Sequence, residues 1–440
     1  MTVQAERDRF SSSDNALAVP AVSFKDAMQA FLRIGLMSFG GPTAQIAVMH
    51  KILVEEKKWL SDALFVHALS FCMLLPGPEA MQLATYAGWR LHGVRGGLMA
   101  GLFFVLPGAV VMLLLSMIFA LYGGVAWVEA LFFGIKAAVL VIVIEALLRV
   151  SKRALQHKIH WLIAALSFIG IFMLDLPFPV LILAAAACGF LWQSSPPSDA
   201  AVPAPNTVPI RATVGRVVLW GSVWVLPLLA LVLQQGADHL LVRLGLFFMK
   251  LALVTFGGAY AVLAYMAQDV VGLHGWLEAG QMMTGLGLAE TTPGPLILVT
   301  EFVGFMAAFR QGGLAWGLAG AGIALWMTFA PCFLWIFPGG PYLEWIIARP
   351  RLKGALAAIA AAVVGVIFNL SLWFALHVFF TQVDDYRFGL LHLFVPQPSS
   401  LDVGVVLIAA LSAVMLFWRH TPLGWVLVAA SLGGLAWRFV

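Results

Sequence analysis

"SFGGP", residues 38–42, sits in the middle of an apolar run, and "TFGGA", residues 255–259, repeats it 217 positions on. Each copy is followed at the same distance by Pro-Gly-Pro, at 76–78 and at 293–295. A Gly-Gly pair exposes backbone and Pro-Gly-Pro removes two backbone donors, so both motifs interrupt helices. The shift of 217 also pairs Phe31 with Phe248, Arg33 with Lys250, and Trp59-Leu60 with Trp276-Leu277. No gap is needed across 48 positions, and 15 of them are identical. Because the matches include Gly, Pro and Trp, shared greasiness does not account for them.

The setting of these breaks is a bilayer. The chain has 440 residues, 62% of them apolar and only 10% charged, with a mean hydropathy of +0.96. A soluble domain carries about a quarter charged residues. Backbone groups in lipid must be satisfied internally, and the apolar runs do not alternate, so the spans are predicted to be helices. Thirteen are expected, at 25–48, 62–89, 96–121, 126–148, 159–174, 178–193, 214–234, 241–266, 280–308, 313–338, 353–380, 402–418 and 421–437.

Residues 1–24 lack an apolar signal segment and read as a disordered cytoplasmic tail. Residues 25–193 form the first transmembrane repeat, the Pro, Ala and Ser rich stretch at 194–213 is a linker, and 214–440 form the second repeat. With the N-terminus inside, most Lys and Arg fall on the cytoplasmic side, "RVSKRALQHK" at 149–158 most clearly. Lys51, Lys57, Lys58, Arg243, Arg310, Arg387 and Arg438 then fall outside. The net charge of +4 reflects these loops and gives no support for a nucleic-acid partner. The lipid bilayer is the partner that composition demands.

Beyond Pro-Gly-Pro the shift becomes 216, pairing Gly88 with Gly304 and Gly96-Gly97 with Gly312-Gly313. It then becomes 224, pairing Pro107 with Pro331 and Glu145 with Asn369. Seven crossings separate the two FGG spans, so the copies are expected to run in opposite directions. The predicted fold is therefore an all-α polytopic membrane protein with two inverted-topology repeats, its helices broken at the FGG and PGP motifs. Secondary transporters carry such repeats and bind cargo near the midplane between interrupted helices.

A half-helix that starts inside the membrane presents free N–H groups and a partial positive charge, which suits an anion. The expected anion site therefore draws on Ser38, Gly40, Gly41, Pro42, Pro76, Gly77, Pro78 and Gln82. From the second repeat it draws on Thr255, Gly257, Gly258, Thr291, Thr292, Pro293, Gly294 and Pro295. Arg33 and Lys250, each seven residues ahead of the Gly pair, are matched intramembrane cations and argue for negative cargo. Snorkelling to an interface, or pairing with a carboxylate, explains Arg33 equally well. Glu79, Glu145, Glu290 and Glu301 are intramembrane carboxylates, read as proton-coupling candidates or as structural ion-pair partners.

Cys72, Cys188 and Cys332 have no metal or redox spacing, and no metal motif, phosphate loop or catalytic constellation is present. No cofactor and no enzymatic activity are expected.

The ordered motifs "FLRIGLMSFGGP", "LLPGPEAMQLATYAGWRLHG", "FFMKLALVTFGGAYAVLAYM" and "ETTPGPLILVTEFVGF" closely resemble the chromate ion transporter family in its long, two-repeat form. That resemblance covers most of residues 25–380. It implies export of chromate across the cell inner membrane and chromate resistance, with sulfate, another tetrahedral dianion, as a close analogue. The family's first half often carries a neutral residue after Pro-Gly-Pro, where this sequence has Glu79. A sulfate or other oxyanion transporter, or a passive anion channel, also fits the residues, and a homodimer stays open.

Overall fold

The computed structural model describes residues 22–39, 41–192, 209–256, 259–347, 349–388 and 391–439. The tail at 1–21 and most of the 194–213 linker lie outside them. Helix α1 (Phe24–Met37) starts where Ser23 accepts a hydrogen bond from the Lys25 N–H, and it buries Ala27, Ala30, Phe31 and Ile34 along one stripe. After the Gly-Gly break, α2 (Gly41–His50) runs into a π turn at Lys51–Glu56. Helix α3 (Asp62–Leu74), capped by Ser61, leads to Pro-Gly-Pro, and the long α4 (Glu79–Tyr122) starts at the far side of it. Then follow α5 (Ala126–Ala154), α6 (Lys158–Phe172), α7 (Phe178–Trp192) and α8 (Ile210–Gln235).

The second half repeats the pattern. Helix α9 (Leu240–Val254) precedes α10 (Ala259–Gln268) and a π turn at Asp269–Leu273. Helix α11 (Ala279–Thr291) maps end to end onto α3 at the shift of 217. A 3-10 turn, Leu296–Leu298, opens α12 (Val299–Gly339), and a short α13 (Leu343–Ile347) precedes α14 (Pro350–Phe379). Helices α15 (Val403–Ala413) and α16 (Leu423–Phe439) complete the described chain.

Three expectations are corrected. The segments 25–48, 62–89, 241–266 and 280–308 are not continuous spans, because each is two shorter helices joined at a Gly or Pro break. Among the described residues, five helices, those at 79–122, 126–154, 210–235, 296–346 and 350–379, are long and apolar enough to cross a membrane. The all-α class holds, but the loop between α14 and α15 carries one hairpin that the expected spans do not include. Strands β1 (Val383–Phe388) and β2 (Leu391–Pro396) pair antiparallel, with Val383 opposite Pro396. Val, Tyr, Phe and Leu dominate this stretch, which is strand chemistry that an average of hydropathy overlooks.

The third correction concerns register. Helix α4 turns sharply at His92 (φ −138°) and Gly93 (φ 60°, ψ −151°). Helix α12 turns with matching dihedrals at Gly312 (φ −143°) and Gly313 (φ 70°, ψ −157°). So His92-Gly93 is the counterpart of Gly312-Gly313, and the sequence pairing with Gly96-Gly97 fails. Gly96 instead packs its backbone on Gly88, as Gly320 does on Gly304. The second hairpin is longer by about one helical turn on each arm.

Packing sets directions. Phe24 of α1 meets His92 at 5.3 Å between ring centroids, and Gly35 lies against the Phe103 carbonyl. Helix α1 thus runs alongside the second arm of α4 and stops halfway. Gly97 and Gly101 of α4 face Phe337 and Phe333 of α12, so these two long helices are antiparallel. Gly189 of α7 packs on Gly354 of α14, while Gly434 of α16 packs on Ala130 and Gly134 of α5. At the shift of 224, Ala130 corresponds to Gly354, so each half's last helix pair leans on the other half.

Candidate anion site at the helix tips

The interrupted helices end against one another. At the end of α1 the Ser38 hydroxyl donates back to the Ile34 carbonyl at 2.6 Å, and at the end of α9 Thr255 donates to Leu251 at 2.6 Å. The Gly77 N–H donates to the Thr255 carbonyl at 2.9 Å, and the Gly294 N–H donates to the Ser38 carbonyl at 2.7 Å. This is a reciprocal exchange between symmetry mates. It also explains the motif: within Pro-Gly-Pro only the glycine has an N–H, and Gly77 (φ +114°) and Gly294 (φ +87°) adopt conformations that L side chains resist. The carbonyls at a helix C-terminus otherwise lack partners. Each Pro-Gly-Pro therefore caps a half-helix of the opposite repeat.

Helix N-termini gather at the same place. Helix α2 opens at Gly41 (φ +82°) with Pro42 next, α4 opens after Pro78, and the turn leading into α12 opens after Pro295. The first intrahelical bond of α4 runs from the Gln82 N–H to the Pro78 carbonyl, which leaves the N–H groups of Glu79, Ala80 and Met81 without an acceptor in the helix. Between these tips lies a small cavity of about 20 Å³, lined by Pro42, Gln45, Pro78, Glu79, Ala80, Thr255, Pro295, Leu296 and Ile297. It has room for roughly one water, so a tetrahedral anion enters only if the tips move apart.

The predicted residues divide clearly. Pro42, Pro78, Glu79, Thr255 and Pro295 line the cavity, with Ser38, Gly77 and Gly294 bonded directly behind it. The Pro76 carbonyl accepts from Gln82 Nε2 at 2.7 Å, leaving the buried Gln82 Oε1 unpartnered. The Pro293 carbonyl packs on Gly108. Thr291 and Thr292 donate back to Leu288 and Ala289, the usual habit of hydroxyls in helices. Gly40, Gly257 and Gly258 lie outside the described residues.

The cations stand apart. Arg33, 49% exposed at its side chain, pairs with Glu56 at 2.7 Å. The Lys250 ammonium sits 5.3 Å from the centre of the Tyr265 ring. Neither lines the cavity. Glu290 accepts a hydrogen bond from the Tyr260 hydroxyl at 2.9 Å, Glu145 pairs with Arg149 one turn along α5, and Glu301 is buried with Oε2 unpartnered. None of these carboxylates pairs with Arg33 or Lys250 among the described residues.

Gln45 went unnoticed in the sequence. It is buried, lines the cavity, and donates to the Gly294 carbonyl at 2.6 Å. Its repeat mate is Val262, so a search for matched pairs passes over it; its place one turn into α2 was the available signal. No group of His, Cys, Asp or Glu among the described residues is arranged to hold a metal.

Tips of this kind occur in a chain whose residues 26–190 and 242–435 match the family profile described as "Chromate transporter". The chain belongs to the chromate transporter family. It is 32% identical over 425 residues to a chromate transport protein of Pseudomonas aeruginosa, covering 95% of this chain and 93% of that protein. It is 29% identical over 357 residues to a chromate transport protein of Cupriavidus metallidurans, covering 79% of this chain and 82% of that one. An uncharacterized transporter of Methanocaldococcus jannaschii is 27% identical over 382 residues, 85% of this chain and 88% of that protein. No solved structure matches the chain.

Proposed function

We propose that this chromate transporter family member is a secondary transporter that exports chromate across the cell inner membrane, conferring chromate resistance by alternating access between inverted repeats. The observation that carries the reading is the cavity, where helix N-termini from both repeats converge on one small space. Free N–H groups and helix dipoles suit a tetrahedral dianion without a fixed cation in the site. The predicted residues at these tips are its anion-binding set, with Gln45, Ala80, Leu296 and Ile297 added. Arg33 and Lys250 act from outside the cavity, raising the local anion concentration on the approach. Glu145, Glu290 and Glu301 remain carboxylates for proton traffic.

The exchanged Gly77 and Gly294 hydrogen bonds and the antiparallel α4 and α12 support inversion. The pairs α1–α2 and α3 with the first arm of α4 then enter and leave on one face as re-entrant hairpins. The second arm of α4 and helices α5 to α8 cross, an odd number, so α9 starts on the opposite face. Helices α6 and α7 are short for a crossing, yet leaving both out preserves the parity. This topology brings Lys51, Lys57 and Lys58 to the side of Arg90, Arg95 and the 149–158 cluster, a stronger basic bias for a cytoplasmic N-terminus. One chain carries both faces of the site, so a homodimer is compatible but not required.

Inverted membrane vesicles containing the protein should accumulate radiolabelled chromate saturably when energised. Uptake that follows voltage without saturating would make the protein a channel, and absence of uptake would remove the reading. Backbone donors sense shape and charge, not the central atom, so excess sulfate should compete.

A further inference from the structure

Among the described residues, the cavity at the tips has one ionisable side chain in its lining, Glu79, and no cation. Glu79 is the first residue of α4, directly after Pro78, and among the described residues its side chain has no hydrogen-bond or ion-pair partner. The titratable groups around it are thiols: Cys72 on α3, close enough to feel its charge, and Cys332 on α12, beside Gly77. On the neighbouring hairpin, Glu290 is engaged by Tyr260. The nearby cations are placed elsewhere, Arg33 against Glu56, Arg149 against Glu145 and Lys250 over the Tyr265 ring.

A carboxylate and a dianion sharing so small a space, with little water to screen them, repel strongly. The backbone N–H groups offset the charge of the anion but do nothing for the second negative group. One proton removes the conflict, and it turns the carboxylate from a competitor into a donor to an anion oxygen. We infer that Glu79 takes up a proton whenever the cavity holds the oxyanion, so this chain carries one proton with each dianion. The inference rests on the transport reading above and supplies its coupling ion. The bound species are a dianion and a neutral carboxyl, so each cycle moves one net negative charge. An inside-negative potential then drives export, and an acidic exterior opposes it.

The test uses the full-length protein in proteoliposomes with radiolabelled chromate. With the potential clamped at zero and the exterior one pH unit more acidic, the wild type should accumulate chromate inside about tenfold at equilibrium. In Glu79→Gln, whatever its rate, the pH gradient should produce no accumulation. If that variant and Glu79→Ala both fail to transport, the wild type decides alone. Its reversal potential should shift by about 59 mV per tenfold chromate gradient for one net charge, against about 30 mV for a bare dianion. A wild type that follows voltage but ignores the pH gradient, or a Glu79→Gln protein that accumulates like the wild type, overturns the proton and leaves chromate transport standing. No flux under either gradient overturns both.

Discussion

Helices α3 and α11 are repeat mates of equal length, each ending at a Pro-Gly-Pro, yet they live in different surroundings. On α11, Met283 (1% exposed), Thr284, Gly287 and Glu290 (7%) are buried, with Gly287 against Ile135 and Val139 of α5. The same face of α3 carries Val66 (48%), His67, Ser70 and Met73 (52%), all exposed. Local geometry is duplicated and docking is not. Helix α13 packs against α3, whereas the first repeat has only a short turn between α4 and α5. The difference teaches that repeated backbone chemistry fixes how a hairpin folds, while its contacts depend on what else the chain inserts nearby.

The comparison breaks or sharpens at several points. The largest effect belongs to the features both repeats share. Gly77→Ala and Gly294→Ala each force an L residue to positive φ, costing roughly 1–2 kcal/mol locally, and each disturbs the cap of the opposite repeat. Both should lose most chromate flux while still reaching the membrane. Near-normal flux in one of them would show that only one cap matters. Next come the faces that differ. Met283→Ala should destabilise the protein by about 2–5 kcal/mol, whereas Val66→Ala should stay within about 0.5 kcal/mol, read from thermal unfolding in detergent. Equal losses would mean that α3 is docked in the protein as studied.

A smaller effect is expected for the cations. Arg33→Gln and Lys250→Gln should raise KM for chromate several-fold at low salt, with the difference shrinking as salt rises, because they act through the field and not by contact. A collapse of kcat at unchanged KM would place them inside the chemistry of the cavity. The smallest concerns His50, the last residue of α2, whose repeat mate is Ala267. Its ring is held by Asp62 at 2.7 Å and Glu55 at 3.2 Å, and the Asp62 hydrogen bond raises its pKa above the usual value. With the folded value above the unfolded one, this contribution is fully present below about pH 6.5 and is lost as pH rises through the folded value. Comparing His50→Gln with wild type, the Tm gap should narrow from pH 5.5 to pH 8; a constant gap would argue against a charged His50.

Much of this was legible where backbone chemistry is local. Gly40-Gly41 and Pro-Gly-Pro announce a break wherever they stand, and their repetition announces the partner. Hydropathy, by contrast, does not distinguish a continuous 28-residue helix from two shorter helices joined at a break, so 62–89 reads as a span. Nor does an alignment of glycines reveal that both arms around Gly312-Gly313 gained a turn, because Gly96-Gly97 offers a competing match. Arg33 shows the limit for side chains. Its mate Lys250 is found by register, but that Glu56 claims it depends on how far α2 folds back beside α1.

The exchanged caps bear on how such a chain can be divided. A protein holding residues 22–192 alone would leave the Ser38 carbonyl and the Gly77 N–H without their partners, since these belong to Gly294 and Thr255. Only a second copy lying upside down would supply both. Produced as two separate polypeptides, the halves of this protein are therefore expected to be unstable singly and to rescue each other when made together. On the inverted reading proposed above, the smallest heritable unit of this fold is an antiparallel couple, and one gene for both halves sets each beside its opposite.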